Sequence, residues 1–505
     1  MNRVFAFLSA LVVVTSGAVA AEKAPVTVSE LPVSVARGAT GASIARAPDG
    51  QLWLSWIEAA GSGHALRFAT FDAAAGKWSS PGTVASGPNW FVNWADFPSL
   101  SVDLQGRVVA VWFVNNPAPV APAEHDHHGP GYRAMLSSSN DHGRFWSAPA
   151  PLTRESDSVE FVSLATLADG RVLATWLDGR GKKSGGNVQQ LFARVLGDSA
   201  PDTLVDASVC DCCQTTLTAF PDGGALLAYR GRTTKEVRDM QVARFDGHNW
   251  NTPRPLSNDD WRINACPVNG PQLDNDRGRV AAVWFTAADN EPRVLASYSP
   301  DAGARFLMPL RIDRGQPAGR VDTVILRDGA MLVTWLEKDG SLWLRRISPD
   351  FAADEPTQLA SAAAGRAGGF PRTALVRDYA GGRSTAQFVV AYARGEDPAT
   401  LRTLLVTVPE GDLLSQKKDC DCAPTPEQLA GLPFRGTVTT VLGETKTLRL
   451  KHEEIPGVLA AGTHEFRAPP EVISAVAAGR QFFGRAEQRE NVWWVFDVRL
   501  ALASN

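Results

Sequence analysis

Asp169-Gly170-Arg171-Val172-Leu173-Ala174-Thr175-Trp176 is a Gly-containing turn followed by a short apolar strand that ends on an aromatic ring. The same unit recurs at Asp49-Gly50 to Trp56, Gln105-Gly106 to Trp112, Asp222-Gly223 to Tyr229, Arg277-Gly278 to Trp284, Asp328-Gly329 to Trp335 and Gly381-Gly382 to Tyr392. The terminal aromatics are 51 to 64 residues apart, with a mean spacing of 56. A second apolar stretch follows each: Leu66–Asp72, Tyr132–Ser139, Gln190–Leu196, Met240–Asp246, Arg293–Ser299, Leu342–Ser348 and Leu401–Val408. Regular short strands without helical periodicity predict one four-stranded sheet per unit. A repeat of this length means a propeller or a solenoid, and radial closure, which protects sheet edges, favours the propeller. The expected fold class is all-β: a seven-bladed β-propeller, or six blades with a stray hairpin, over residues 35–408.

Composition agrees. The 505 residues exceed one ordinary domain, and 44% hydrophobic with 21% charged residues is a chain that buries cores. Fifteen Trp, 44 Gly and 33 Pro lean toward turn-rich β structure. A net charge of −4 gives no footprint for nucleic acid. Residues 1–21 read as a signal peptide: a basic Met1-Asn2-Arg3, an apolar Val4 to Val14, and a small-residue cleavage site at Ala18-Val19-Ala20. No later apolar run is long enough for a membrane span. The expected location is outside the cytoplasm, periplasmic or secreted.

Two turns between outer strands share a further pattern. Ser139-Asn140-Asp141-His142-Gly143-Arg144-Phe145-Trp146 has the form Ser-x-Asp-x-Gly-x-x-Trp, and Ser299-Pro300-Asp301-Ala302-Gly303-Ala304-Arg305-Phe306 repeats it with Phe last. Weaker echoes stand at Gly76–Trp78 and Asn249–Trp250. The Asp is suited to accept from backbone N–H groups of its own turn, and the Gly to supply a positive φ. On these residues the chain resembles the sialidase-like, Asp-box (BNR) propeller family over roughly residues 35–410. Asp-boxes imply a fold and not an activity.

Inner strands of a propeller begin near its central channel. Counting back from each repeat turn leads to Thr40, Asp96, Glu160, Cys213, Val268, Gly319 and Arg372, with Arg320, Asp322 and Cys266 in the same neighbourhood. This ring is more polar than a core strand requires, and Asp96, Glu160, Arg320, Asp322 and Arg372 are its candidate catalytic groups; a solvated channel end is the plainer explanation. Sialidase resemblance implies an Arg triad on a carboxylate, an acidic acid/base, and a Tyr nucleophile with a Glu partner. The usual Arg-Ile-Pro step of that family is replaced here by Thr40-Gly41-Ala42 and, in the next unit, Asp96-Phe97-Pro98. Arg180, Arg230, Arg238, Arg320 and Arg372 would have to rebuild the clamp. An exo-α-sialidase-type glycoside hydrolase with an accessory domain is therefore the alternative function, and the leaning is toward a protein that is not an enzyme.

The cysteines are grouped. Cys210-Asp211-Cys212-Cys213 precedes the fourth inner strand and Cys266-Pro267 the fifth, so adjacent units bring them together. Clustered thiolates suit Cu(I) or zinc; an exported protein also forms disulfides readily, and both readings stand at this level, with redox chemistry a third. A loop carries His125, His127 and His128, spaced to chelate a metal or simply solvated. The stretch 409–432 reads as a linker containing Cys420 and Cys422, again disulfide or metal thiolates.

Beyond the linker, Phe434–Val441, Thr447–Lys451, His464–Arg467, Gln481–Glu487 and Val492–Val498 alternate like the strands of a small five-stranded, OB-like barrel at 433–501. Gly436-Thr437-Val438, Lys451-His452-Glu453-Glu454-Ile455-Pro456-Gly457, Thr463-x-Glu465-Phe466 and the Trp-rich last strand resemble the CusF-like periplasmic copper-binding domains. The resemblance implies a Cu(I) or Ag(I) site at the His of the His-x-x-Ile-Pro stretch with two Met. His452 is kept, the Met positions are Gly462 and His464, and Leu459 stands where Trp or Met is frequent. His452 and His464 are the expected ligands. The main functional expectation is an exported, soft-metal-binding protein, with copper as the ion and another periplasmic protein as a further partner.

Overall fold

A computed structural model describes residues 25–103, 105–117, 131–183, 188–376, 385–395, 398–410, 432–442, 445–452, 459–479, 481–489 and 492–500. The targeting segment 1–21, the histidine loop with His125, His127 and His128, and the linker with Cys420 and Cys422 lie outside the described residues.

The protein is all-β, built from antiparallel sheets of four strands. Among the described residues there are seven such sheets and one closed barrel, and the sheet of the first repeat carries a fifth strand, Gly82–Gly87. The first strands of the sheets are, in chain order, Thr40–Arg46, Ser99–Val102, Val159–Thr166, Thr216–Ala219, Gln272–Asp276, Pro317–Ile325 and Arg372–Val376. Each packs beside the first strand of the next sheet, and the seventh packs beside the first, so the ring closes.

The repeat aromatics explain why the sheets stack. Trp56, Trp112, Trp176, Tyr229, Trp284, Trp335 and Tyr392 all lie on the second strand of their sheet, and all are buried. Several are anchored by an acid two residues on: Trp56 donates to Glu58, Trp176 to Asp178 and Trp335 to Glu337, at 3.0, 2.8 and 2.8 Å. The polar edge of the indole is thereby satisfied while its apolar body fills the gap between sheets. The core is accordingly divided into clusters between neighbouring sheets, including one that joins the first sheet to the seventh through Leu54, Trp56, Val389 and Ala391.

The strand Thr27–Glu30 departs from the sequence expectation that the propeller starts at residue 35. It pairs antiparallel with Thr400–Pro409, Thr27 opposite Thr407, and supplies the fourth strand of the last sheet. Ring closure thus joins the two ends of the repeat region. Thr27-Val28-Ser29-Glu30 is exposed throughout and shows no alternation of burial, which is why periodicity does not reveal it.

Both Asp-box turns have the expected chemistry. Gly143 N–H donates to Ser139 Oγ and Phe145 N–H to Asp141 Oδ1, each at 2.9 Å. Gly303 N–H and Arg305 N–H repeat this on Ser299 and Asp301 at 2.9 and 2.8 Å. Gly143 and Gly303 sit at φ of 80° and 84°.

The C-terminal strands Leu432–Leu442, Thr447–His452, Gly462–Arg467, Gln481–Arg489 and Val492–Leu500 form the closed barrel, around Val438, Leu448, Leu450, Phe466 and Val495. A short helix, Pro470–Ala475, lies between the third and fourth of them. No helix among the described residues is long and apolar enough to cross a membrane.

Candidate thiolate site and channel mouth

The segments leading into the inner strands share one local device. Gly41, Phe161, Val268, Gly319 and Arg320 have positive φ, and the first, third and sixth inner strands shift register at this point. Such bulges re-aim side chains away from the ladder. Positive φ is costly for Phe, Val and Arg, so the surrounding contacts must hold it. Those contacts run from sheet to sheet. Phe161 N–H donates to Asp96, Thr215 Oγ1 to the Phe161 carbonyl, Gly270 N–H to Gln214, and Arg320 N–H to Asn269, at 2.7 to 3.1 Å.

The cysteines sit on two of these segments. Cys210, Cys212 and Cys213 bring their sulfurs within 4.8 Å of one another. Cys210 Sγ is 3.5 Å from Cys213 Sγ and 4.0 Å from Cys212 Sγ. Cys266, from the next connection, interacts with the Cys212 thiol. Cys266 therefore meets Cys212, while Cys213 turns inward to Cys210. All four are free thiols. Cys210 and Cys213 are buried at 1% and 2% exposure, Cys212 is half-buried, and Cys266 is exposed.

Two of the arginines that the sequence offers for a carboxylate clamp instead support the cluster. Arg238 Nη1 donates to Cys210 Sγ at 3.4 Å while its other nitrogens hold Glu236 at 2.8 and 3.2 Å. Arg230, fully buried, spends its guanidinium on the carbonyls of Asn269, Arg238 and Phe285 and lies over the Trp261 ring. These acceptors are all neutral, so its charge is left to act on the neighbouring sulfurs. Hydrogen bonds from Cys212 and Cys213, with the positive charge of Arg230, hold the Cys210 thiol well below its ordinary value. Burial, with the charge of Cys210, pushes Cys213 up to about 12. A hydrogen bond from Cys212 lowers Cys266 to about 7.

The channel candidates are distributed differently. Asp96 is buried and accepts from Tyr132 Oη at 2.7 Å and from Phe161 N–H at 3.0 Å; burial raises its carboxyl well above the usual range. Glu160 is raised by burial to about 7 and also bonds Tyr132. Tyr132, stacked on Phe91 with ring centroids 3.7 Å apart, thus stands between two carboxyl groups. It opens the third strand of its sheet, and its partners come from two sheets, a conjunction no local motif announces. Asp322 accepts from Thr323 and Thr373 N–H at 2.9 and 2.6 Å; burial raises its carboxyl above the usual range, and the buried Arg372 guanidinium offsets only part of that rise. Arg372 lies over Phe97 at 4.6 Å. Arg320 donates to the carbonyls of Gly365 and Gly369 and lies over Trp94 at 4.8 Å.

The segment Trp94–Phe97 reaches across the ring. Trp94 stacks on Phe370 from the seventh repeat, Ala95 accepts from Gln214 of the fourth, and Phe97 meets Gly41 of the first. Arg180 is taken up by Asp178, Asp202 and Glu155. The arginines proposed for a carboxylate clamp thus have other engagements: Arg230 and Arg238 stand at the cysteine cluster, Arg320 and Arg372 both lie over the Phe370 ring, and Arg180 holds three carboxylates. In the barrel, His452 Nε2 and His464 Nδ1 are 2.8 Å apart on adjacent strands, with His452 buried edge-on to Phe466. The expected pair is brought together, but at hydrogen-bonding distance. A linear ion between them needs about 4 Å, twice an ordinary metal–nitrogen bond.

No family model matches the chain, and no curated protein does. Solved structures with a similar course of the chain include a protein of unknown function from Dyadobacter fermentans, at 14% identity, TM-score 0.42, covering 62% of this chain and 94% of that one. An α-L-arabinanase from Penicillium chrysogenum matches at 14% identity and TM-score 0.41, with 64% and 96% covered. An intramolecular trans-sialidase from Ruminococcus gnavus matches at 10% identity and TM-score 0.41, with 74% and 95% covered.

Proposed function

We propose that this protein binds a soft metal ion, Cu(I) being the ion expected, through Cys210, Cys212 and Cys213, with Cys266 beside Cys212, and serves metal handling outside the cytoplasm. The observation that carries this is the sulfur spacing of 3.5 and 4.0 Å. An ion bound tetrahedrally at about 2.3 Å from each thiolate needs sulfurs about 3.8 Å apart, and a trigonal ion at that bond length needs about 4.0 Å. A disulfide needs about 2.05 Å. Arg238 and Arg230 offset the charge that several thiolates accumulate in a buried place, as a soft-ion site requires. In this reading the seven sheets are the blades of a seven-bladed propeller, the segments entering its inner strands hold the site, and the C-terminal barrel is OB-like. His452 and His464 are then a second and weaker position, which opens only when their mutual hydrogen bond is given up. The test is titration of the reduced protein with Cu(I) against a chromophoric chelator. Wild type should compete for the ion, and Cys210→Ser with Cys213→Ser should abolish competition.

A second reading, a glycoside hydrolase, is favoured by one observation: Tyr132 between Asp96 and Glu160, where burial keeps a proton on a carboxyl near neutral pH. A carboxyl that keeps its proton near neutral pH is suited to act as a general acid. Release of a fluorogenic sialoside or arabinoside, lost in Glu160→Gln and Tyr132→Phe, would favour it over the metal reading.

A further inference from the structure

The four thiols differ in access along a line. Cys210 and Cys213 are buried, Cys212 is half-buried, and Cys266 is exposed. The first three belong to one segment, held by backbone pairing of Cys210 N–H with the Arg230 carbonyl at 3.0 Å and by Gln214. Cys266 comes from the next connection, on a short exposed tip with Asn264 and Ala265. The base of that tip is fixed on both sides. Ile263 N–H donates to the Glu236 carbonyl at 3.0 Å, the Asn269 amide bonds the carbonyls of Pro267 and Ala318 at 3.3 and 3.2 Å, and Gly270 N–H bonds Gln214 at 3.0 Å. A thiol on such a tip stays within reach of Cys212 while facing solvent.

A buried thiolate site needs an access route for its ion. Interiors are too densely packed for a ligated metal complex to pass between side chains. Resting on the metal-binding reading above, we infer that Cys266 is the receiving thiol, through which Cu(I) arrives as a thiolate complex and passes by ligand exchange to Cys212 and then to Cys210 and Cys213. The partner this fits is a Cu(I) donor whose own ligands are thiolates, small molecule or protein. In the first step the Cys266 thiolate forms a Cu–S bond as one donor thiolate leaves. In the next, Cys212 forms a bond as the second donor thiolate leaves. In the last, Cys210 and Cys213 form Cu–S bonds as the Cys266 sulfur leaves and takes up a proton from them or from solvent. Copper remains Cu(I), and the protons of the protein thiols pass to the departing thiolates or to solvent, so no oxidant or reductant is required. Cys266 is a transfer residue, separable from the thiols that hold the ion at equilibrium.

The experiment uses the full-length reduced protein and Cu(I) presented as its glutathione complex, following the thiolate-to-Cu(I) ultraviolet absorption in stopped flow and, separately, equilibrium affinity by chelator competition. Cys266→Ser should load at least ten times more slowly than wild type, while its affinity changes by less than about fivefold. Cys213→Ser should do the reverse, losing affinity with a smaller change in the initial rate. Wild-type loading rates in Cys266→Ser overturn the inference, and so does a loss of affinity in Cys266→Ser as large as in Cys213→Ser, which would make Cys266 an ordinary ligand. Failure of wild type to compete for Cu(I) at all strikes the metal reading itself and is visible before any variant is made.

Discussion

At the scale of single residues, the thiol cluster depends on charges placed beside sulfur. Arg238 lies 3.4 Å from Cys210 Sγ and is itself almost fully buried, so its charge acts through little water. Arg238→Gln should raise the Cys210 thiol and weaken Cu(I) binding on the order of tenfold, about 1.4 kcal/mol for each pKa unit. Arg238→Lys should recover part of the loss, because it restores the charge without the fork to Glu236. Chelator competition measures both. Glu160 makes a different prediction. Burial raises it from 4.5 to about 7, so between those pH values the folded chain binds a proton that the unfolded chain does not. The stability contributed by its neutral form is full below that window and is lost as pH rises through it. Glu160→Gln should therefore flatten the fall in melting temperature between pH 5 and pH 8, leaving the variant the more stable at the alkaline end. An unchanged pH profile in thermal unfolding would show that Glu160 is solvated. The cysteine group was readable in the chain because Cys210, Cys212, Cys213 and Cys266 fall at equivalent points of successive repeats. Their cationic support was not: Arg230 and Arg238 stand on the far side of a strand connection, and their charge has meaning only once the sheets are closed together.

At the scale of elements, the second strands were legible because each must fill the gap to its neighbour with one large ring, and that demand repeats in the sequence. Two of the third strands, Tyr132–Ser139 and Arg293–Ser299, come out with their expected bounds as well. The strand Thr27–Glu30 was not legible, since an outer strand exposed along its length carries no pattern. The conformation entering the inner strands was equally hidden, for Phe161, Val268 and Arg320 take a positive φ that no sequence rule grants them. Two variants probe this level. Trp335→Ala removes a fully buried ring between two sheets and should cost about 3–5 kcal/mol in denaturant unfolding. Gly303→Ala places a Cβ at φ 84° and 2.4 Å from Leu226 of the preceding sheet. It should cost at least about 1 kcal/mol, whereas Gly278→Ala, also at positive φ but with open space around it, should cost less.

At the scale of the whole molecule, the ring gives the chain a site made from parts far apart in sequence. Gln214 reaches Ala95 at 2.7 Å across 119 residues, and the Trp94–Phe97 segment touches the first, fourth and seventh repeats. Cys212 packs with this crossing, in the cluster that holds Trp94, Phe97 and Phe370, while Cys266 is exposed. Closure depends on the first strand pairing with the last sheet, so deleting residues 25–31 should lower the melting temperature of the whole propeller region in one cooperative step. Whether the cysteines hold the ion is read out by X-ray absorption at the metal edge of the full-length reduced protein loaded with one equivalent of Cu(I). Sulfur alone should surround the copper, at about 2.3 Å, and this signal should disappear in the Cys210→Ser, Cys213→Ser double variant. A shell of nitrogen or oxygen, or one unchanged in that variant, would contradict cysteine ligation.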